Sequence, residues 1–228
     1  MRQHVKLQVD VIKILATGGV LSYGDVWDVP QFNLDEVQAV VEESTKFHRK
    51  VAAHAHGDEG IAVAVEGGVH SSNTVPASAK RRCTICSSVE PISSRPYGRS
   101  IRSSNPATRI TFRRAAYRAV ASSVRVAYGT DAGIFPHAQN NKDFTLMAGF
   151  GMSSIAVMRS ATAHAAEMIG TSDRGVLAPG KLADVAVFSG DPSRNVALLE
   201  TRPQQVLLGG ERVDPSTALR QAQGDTSG

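Results

Sequence analysis

Apolar and polar positions fall in blocks along the first seventy residues, and the blocks read as strand, helix, strand, helix. Val9 to Leu15 is an apolar run of a length that suits a buried strand. A Gly-rich turn at Thr17-Gly18-Gly19 follows, then a polar loop from Ser22 to Gln31. Asn33 and Glu36 are spaced as a capping pair and predict a helix start. Leu34, Val37, Val40, Val41 and Phe47 then recur at helical spacing. Lys46, His48, Arg49 and Lys50 crowd the end of that helix, where cations suit its dipole. Val51–Ala55 predicts the next strand. Gly57-Asp58-Glu59 turns into a helix over Ile61–Glu66, which Gly67-Gly68 ends. Strand alternating with helix in this way predicts a parallel sheet or barrel.

The pattern resumes at Val124–Gly129 with a further strand. Phe144–Phe150 and Ser153–Ile169 read as helices, and Pro179-Gly180-Lys181 as a turn. Ala183–Phe188 and Gln205–Leu208 read as strands, with Gly209-Gly210 as a hairpin turn. The chain from about Pro215 is polar and expected to fray.

Between these stretches lies a different one. Ser71–Arg118 holds 10 of the 25 Lys and Arg residues and one acid, Glu90. It therefore carries +9, and the rest of the chain −5. The overall +4 is a local property, and it does not make the chain a nucleic-acid binder. A basic arm over Lys80–Arg118 with Tyr97, Phe112 and Tyr117 is the alternative, but no recognised binding motif frames it. The only cysteines, Cys83 and Cys86, form a lone CxxC here, which without a second pair or nearby His pair is read as having no function. The segment lacks sustained apolar periodicity and is expected to be irregular. No apolar run approaches the roughly 20 residues of a membrane helix. Met1–Lys6 lacks a secretory apolar region. A cytoplasmic setting, no membrane and no nucleic-acid partner are the expectations, and the oligomeric state is open.

Candidate chemistry sits at the ends of three apolar runs. Lys13 lies in Val11-Ile12-Lys13-Ile14-Leu15, His54 near the end of Val51–Gly57, and Asp131 just past Val124–Gly129. A β/α barrel presents its ligands in this way, at one face. His137, just past the Asp131 loop, is a candidate to face a substrate. His4, His48 and His70 read as surface or helix-end residues, His164 as a helix residue without a role, and Trp27 as loop packing.

Four motifs, in order, resemble the metal-dependent amidohydrolase superfamily, in its imidazolonepropionase-like and prolidase-like (Xaa-Pro dipeptidase) branch. They are Val11–Ile14 with Ala16-Thr17-Gly18-Gly19; Val51–Gly57; Gly129-Thr130-Asp131-Ala132-Gly133 through Phe135-Pro136-His137; and Ala178–Asp184. The resemblance covers about Gln3–Ser71 and Ala119–Arg212. It implies an α/β fold: the C-terminal half of a TIM-type (β/α) barrel with a remnant of a small β-sandwich. Residues 1–70 would then hold barrel strands four and five with their helices, and 119–175 the last barrel strand and its helices. Residues 176–212 would supply sandwich strands, with 71–118 an aberrant, disordered insert and 213–228 a flexible tail.

The resemblance also implies roles. Lys13 would be the carboxylated lysine that bridges two metals. His54 would be the fifth-strand ligand, with His56 the alternative or a group facing the substrate, and Asp131 the eighth-strand ligand and general base. Imidazole and carboxylate suit Zn²⁺, one or two ions of which the intact family would hold. The implied activity is hydrolysis of amide C–N bonds in small substrates, dipeptides or cyclic amides. Two ligand sets of the resemblance are missing: the first-strand His-x-His, and the sixth-strand His within Ile-Glu-His-Gly, where the chain reads Ser72-Asn73-Thr74-Val75.

A shifted reading frame accounts for the second loss. Codons for Ser72 to Cys86 can be chosen so that one added base gives Ile-Glu-His-Gly-Thr-Cys-Leu-Ser-Glu-Glu-Ala-Met-Tyr-Tyr-Met. A compensating shift before about Ala119 would restore the frame. On this reading the chain is an impaired fragment or a non-catalytic remnant, and the Ser/Arg richness and CxxC are by-products. The expected outcome of sequencing the gene across Val69–Ala121 and upstream is single-base shifts bracketing 72–118 and an upstream His-x-His. Reads with no alternative His-Gly frame would refute it.

Overall fold

A computed structural model describes residues 1–18, 29–56, 58–72, 84–87, 125–130 and 137–213. The chain forms two compact units, Met1–Asp131 and Ala132–Gly228.

The first unit opens with helix α1 (Arg2–Lys6) and strand β1 (Val11–Leu15). Helix α2 (Leu34–Lys46), β2 (Lys50–His54), α3 (Asp58–Glu66), β3 (Ser71–Ser72), β4 (Thr84–Ser87) and β5 (Arg125–Tyr128) follow. The five strands make one parallel sheet in sequence order. The α2 start is the expected capping box: Glu36 N donates to Asn33 Oδ1 at 3.0 Å, and Asn33 N to Glu36 Oε2 at 2.9 Å. Gly68, at φ +91, ends α3 in the left-handed region that glycine enters without steric cost.

The core lies on one side of the sheet. Ile12, Ile14, Val51 and Ala53 pack with Val37, Ile61, Ala64 and Val69. Gly67 makes this packing tight, since a Cβ there would overlap the Val37 side chain. The other side of β1 is open: Val11 is 45% and Leu15 59% exposed, with Lys13 between them. The expectation of a buried strand is therefore corrected. β1 is the edge strand, and the helices cover only one of its two faces, so burial alternates along it.

His70, just before β3, is a joint between strands. Its N–H donates to Val51 O at 2.8 Å, and Val51 N donates to its Nδ1 at 3.1 Å. Burial and nearby Lys50 lower its pKa, in keeping with an Nδ1 that must accept. The segment 71–118 is not irregular throughout, as its composition suggested. Ser71–Ser72 and Thr84–Ser87 lie inside the sheet with partners on both sides, so neighbouring strands satisfy their backbone groups where apolar periodicity is lacking. Cys83 and the rest of the insert lie outside the described residues.

The second unit holds a 3-10 helix (His137–Lys142), α4 (Asp143–Gly149), α5 (Ser154–Ala161) and α6 (Ala163–Ile169). The single helix expected over Ser153–Ile169 is broken at Thr162, whose φ −123 and ψ −92 leave the helical region. Strands β6 (Val185–Val187), β7 (Gln205–Leu208) and β8 (Glu211–Val213) form an antiparallel sheet, with a second 3-10 helix, Val196–Glu200, before β7. Gly209 and Gly210, both with positive φ, make the expected hairpin turn. Asp184 sits outside β6 and caps that turn, accepting from Gly209 N at 2.8 Å.

One-sided burial has a measurable consequence. Ile61 is fully buried, and Ile61→Ala is expected to cost about 2–5 kcal/mol in urea unfolding. Val11→Ala on the open face is expected to change stability by less than ~0.5 kcal/mol. Equal costs would contradict this account of the sheet.

Candidate active site

The parallel register fixes which side chains share the open face. Lys13 pairs with Ala52 and Leu15 with His54. Partners across a ladder point to the same side, and so do residues two apart. Lys13 and His54 therefore lie on one face of adjacent strands, with His54 one pleat further toward the C-terminal end. The helices occupy the opposite face, which leaves this one available to polar groups.

The ends of β1 and β2 are tied together. The His54 carbonyl accepts from Ala16 N at 2.7 Å and from Thr17 N at 3.3 Å. His56 N donates to Thr17 Oγ1 at 3.0 Å, and the Thr17 hydroxyl donates to Gly18 O at 3.0 Å. Gln31 N donates to Ala16 O at 2.8 Å, which draws the polar loop's return onto the same corner.

His54 and His56 meet edge to face, ring centroids 4.3 Å apart and planes at 87°. Burial, and secondarily the neighbouring His54, pushes His56 down to about 4. It is therefore neutral at physiological pH, the form in which imidazole binds a metal. His54 ends β2, His56 stands two residues beyond it, and Lys13 shares the His54 face from the middle of β1, the imidazoles being donors of a kind that divalent ions take. Among the described residues no group of three or more His, Cys, Asp or Glu side chains converges on one point.

The other expected site residues are placed less fully. Asp131 lies outside the described residues, three positions beyond the end of β5. His137 begins the 3-10 helix of the second unit, the other compact body. The sixth-strand position expected to carry a histidine follows β3, also outside the described residues.

Two residues passed over in the sequence stand out. Thr17, 1% exposed, enters the sequence reading as part of a turn and of the first motif, without a role of its own. Its place after the strand that carries Lys13 and before two glycines is the available signal. Asp143 in the second unit is 1% exposed, and its Oδ2 has no hydrogen-bond partner. Burial, and then the Glu200 carboxylate, raises it to about 7. Glu200 accepts from Thr145 N at 3.0 Å and from the Thr145 hydroxyl.

A parallel sheet that places Lys13 within one strand and His54 at the end of the next accompanies a family match over most of the chain. The chain belongs to the amidohydrolase family, which residues 1–213 match. It is similar to the ochratoxinase of Aspergillus niger, 27% identical over 220 residues, or 88% of this chain and 46% of that protein. Among solved structures it is similar to a Xaa-Pro dipeptidase with bound methionine in the active site, at 28% identity and TM-score 0.75, covering 93% of this chain and 56% of the other. It is also similar to a prolidase complexed with N-methylphosphonate-L-proline, at 25% identity and TM-score 0.76, covering 93% and 57%. These neighbours bear out the prolidase-like branch. The chain spans about half the length of the curated relatives it matches. Among the described residues no helix is long and apolar enough to cross a membrane.

Asp143 makes the second unit sensitive to pH. Its folded pKa lies above the ordinary 3.8, so the fold holds a proton that the unfolded chain releases. Stability is then greatest below the ordinary value and falls as pH rises through the window up to about 7. Asp143→Asn is expected to flatten that fall and to raise the urea midpoint at pH 8. A variant with the same slope as the parent would exclude Asp143 as its source.

Proposed function

We propose that this chain carries part of the active site of a metal-dependent amidohydrolase that hydrolyses amide C–N bonds in small substrates. The observation that supports it is the placement of Lys13 and His54 on one face of adjacent parallel strands, with His56, just past the end of β2, in ring contact with His54. The sheet is read as the C-terminal half of a β/α barrel, and β6–β8 as a remnant of the small sandwich domain. Similarity to a Xaa-Pro dipeptidase and to an ochratoxinase supports dipeptides or related amides as the substrate class.

In this reading Lys13, once carboxylated, His54 and Asp131 would hold the metal, and zinc is the ion that would suit them. A divalent ion held there would polarise the scissile carbonyl and acidify water. The protein's own part is proton handling. The Asp131 carboxylate takes a proton from the attacking water and delivers it to the leaving amine. His56, neutral and beside His54, faces the substrate, and the motif offers His137 as a second candidate. Amide cleavage then releases a carboxylate and an amine with one water consumed.

The 228 residues alone are expected to be poor catalysts. The seven histidines of the chain include no pair upstream of Lys13 that could serve as a first-strand His-x-His, and Ser72–Val75 replaces the sixth-strand motif. Lys13, His54 and Asp131 cannot by themselves enclose two metals. The expected result is substoichiometric zinc and little or no turnover of Xaa-Pro and Xaa-Arg dipeptides. Stoichiometric zinc, with turnover abolished by His54→Ala, would overturn that expectation. Restoring the upstream strands and the frame is expected to recover metal and activity together, with Asp131→Asn then removing activity more completely than binding. A restored chain with neither would overturn the amidohydrolase reading.

A further inference from the structure

We propose that Thr17 is a positioning residue that sets the geometry of the His54–His56 pair, and that Gly60 exists to admit it. The inference deepens the reading of His54 as a metal ligand and rests on it for its functional meaning.

Thr17 acts through two separate contacts. Its Oγ1 accepts the His56 N–H at 3.0 Å while donating to Gly18 O at 3.0 Å. One hydroxyl thus uses its donor and an acceptor lone pair at once, which fixes its rotamer. Its backbone N donates to the His54 carbonyl at 3.3 Å. A single residue therefore holds the backbone on both sides of Ala55, the two points from which the imidazoles project. Their edge-to-face contact at 4.3 Å depends on that backbone.

The second contact is steric. Thr17 is 1% exposed, and its methyl group lies against Gly60 in α3. A Cβ built on Gly60 would overlap Thr17 Cγ2, would sit tightly at 3.3 Å from Ala16 O, and would make ordinary contact with Thr17 Cβ at 3.6 Å. The severe conflict is therefore with the methyl group, with a smaller one against the Ala16 carbonyl. Gly60 lies in the first turn of a helix, where alanine would be the better helix former, so its cost is offset by this approach. The hydroxyl ties the His56 loop, and the methyl fills the space that Gly60 leaves beside it.

The two contacts can be separated. Thr17→Val keeps the shape and removes the hydroxyl. Thr17→Ser keeps the hydroxyl and removes the methyl. Gly60→Ala forces the methyl away, and Thr17→Ser combined with Gly60→Ala gives the new Cβ its room. The test uses the full chain with thermal unfolding to check that each variant folds. In the metal-free chain, amide exchange at His56 and cross-ring NOEs between His54 and His56 report the tie. Thr17→Val and Gly60→Ala are expected to speed His56 exchange about tenfold and to weaken the NOEs, a change of the size one hydrogen bond supports. Thr17→Ser is expected to stay near the parent, and the double variant to recover. Should Thr17→Val not fold, Gly60→Ala alone and combined with Thr17→Ser carries the test. Unchanged exchange in Thr17→Val, or no recovery in the double variant, overturns the proposal.

Cobalt(II) titration, followed by visible absorption, provides the second arm. The parent and Thr17→Ser are expected to bind alike, and Thr17→Val about tenfold more weakly with an altered spectrum. Equal cobalt affinity and spectra in all variants overturn the positioning role, because a purely structural tie would shift only the unfolding temperature. A parent that binds no cobalt, with the exchange and NOE results as expected, supports the positioning of the pair and sinks the reading of His54 as a ligand.

Discussion

Everything at the candidate site depends on the packing of α2 and α3 against one side of β1 and β2. Ile12, Ile14, Val51 and Ala53 are drawn under Val37, Ile61 and Ala64, and the strand period of two does the rest. Once those four side chains are committed to the helices, Lys13 and His54 have only the other face. A slip of one residue in the register would bury a lysine and a histidine in an apolar layer and expose the isoleucines. The proposed metal-binding chemistry is thus held in register by the hydrophobic interface on the opposite face of the strands.

The polar side needs its own constraint, because an open face does not order side chains by packing. The corner Ala16–Gly18 supplies it with hydrogen bonds. It joins the ends of two strands through the His54 carbonyl and the His56 amide, and the helix behind leaves a glycine-sized gap for it. Burial at the same corner keeps His56 neutral, since a charged imidazole there would lose solvation beside a second ring. Backbone order and protonation state come from one arrangement.

Much of this was legible in the residues. The capping box of α2, the βαβα order, the Gly-Gly hairpin and the shared face of Lys13 and His54 all follow from short-range rules of spacing and turn chemistry. The openness of β1 was not, because an apolar run of five with one lysine reads the same whether helices cover one face or two. The split at Thr162 was hidden as well: both halves carry helical spacing, and a break in dihedral angles has no compositional mark. The segment after Ser71 misled in the other direction. Its composition argued against order, yet strand pairing on both sides places Thr84–Ser87 in the sheet, a tertiary effect no local window can register. Asp131 and the stretch after β3 lie outside the described residues, so their placement rests on the motif alone.

The open face also explains why the parts of a site are not yet a site. Electrostatic catalysis by a carboxylate and a metal is strong in a water-excluded, low-dielectric pocket and weak in bulk water. Val11 at 45% and Leu15 at 59% exposure flank Lys13, so the surface that should form such a pocket's wall is wet. Apolar residues alternating with a ligand suit a wall with something packed across it. The same two leucine- and valine-sized groups that give nothing to stability here would, once covered, be buried at roughly 1.5–3 kcal/mol each. Closure of that face would thus stabilise the fold and dry the proposed site in one step, because Val11 and Leu15 lie on the same strand as Lys13.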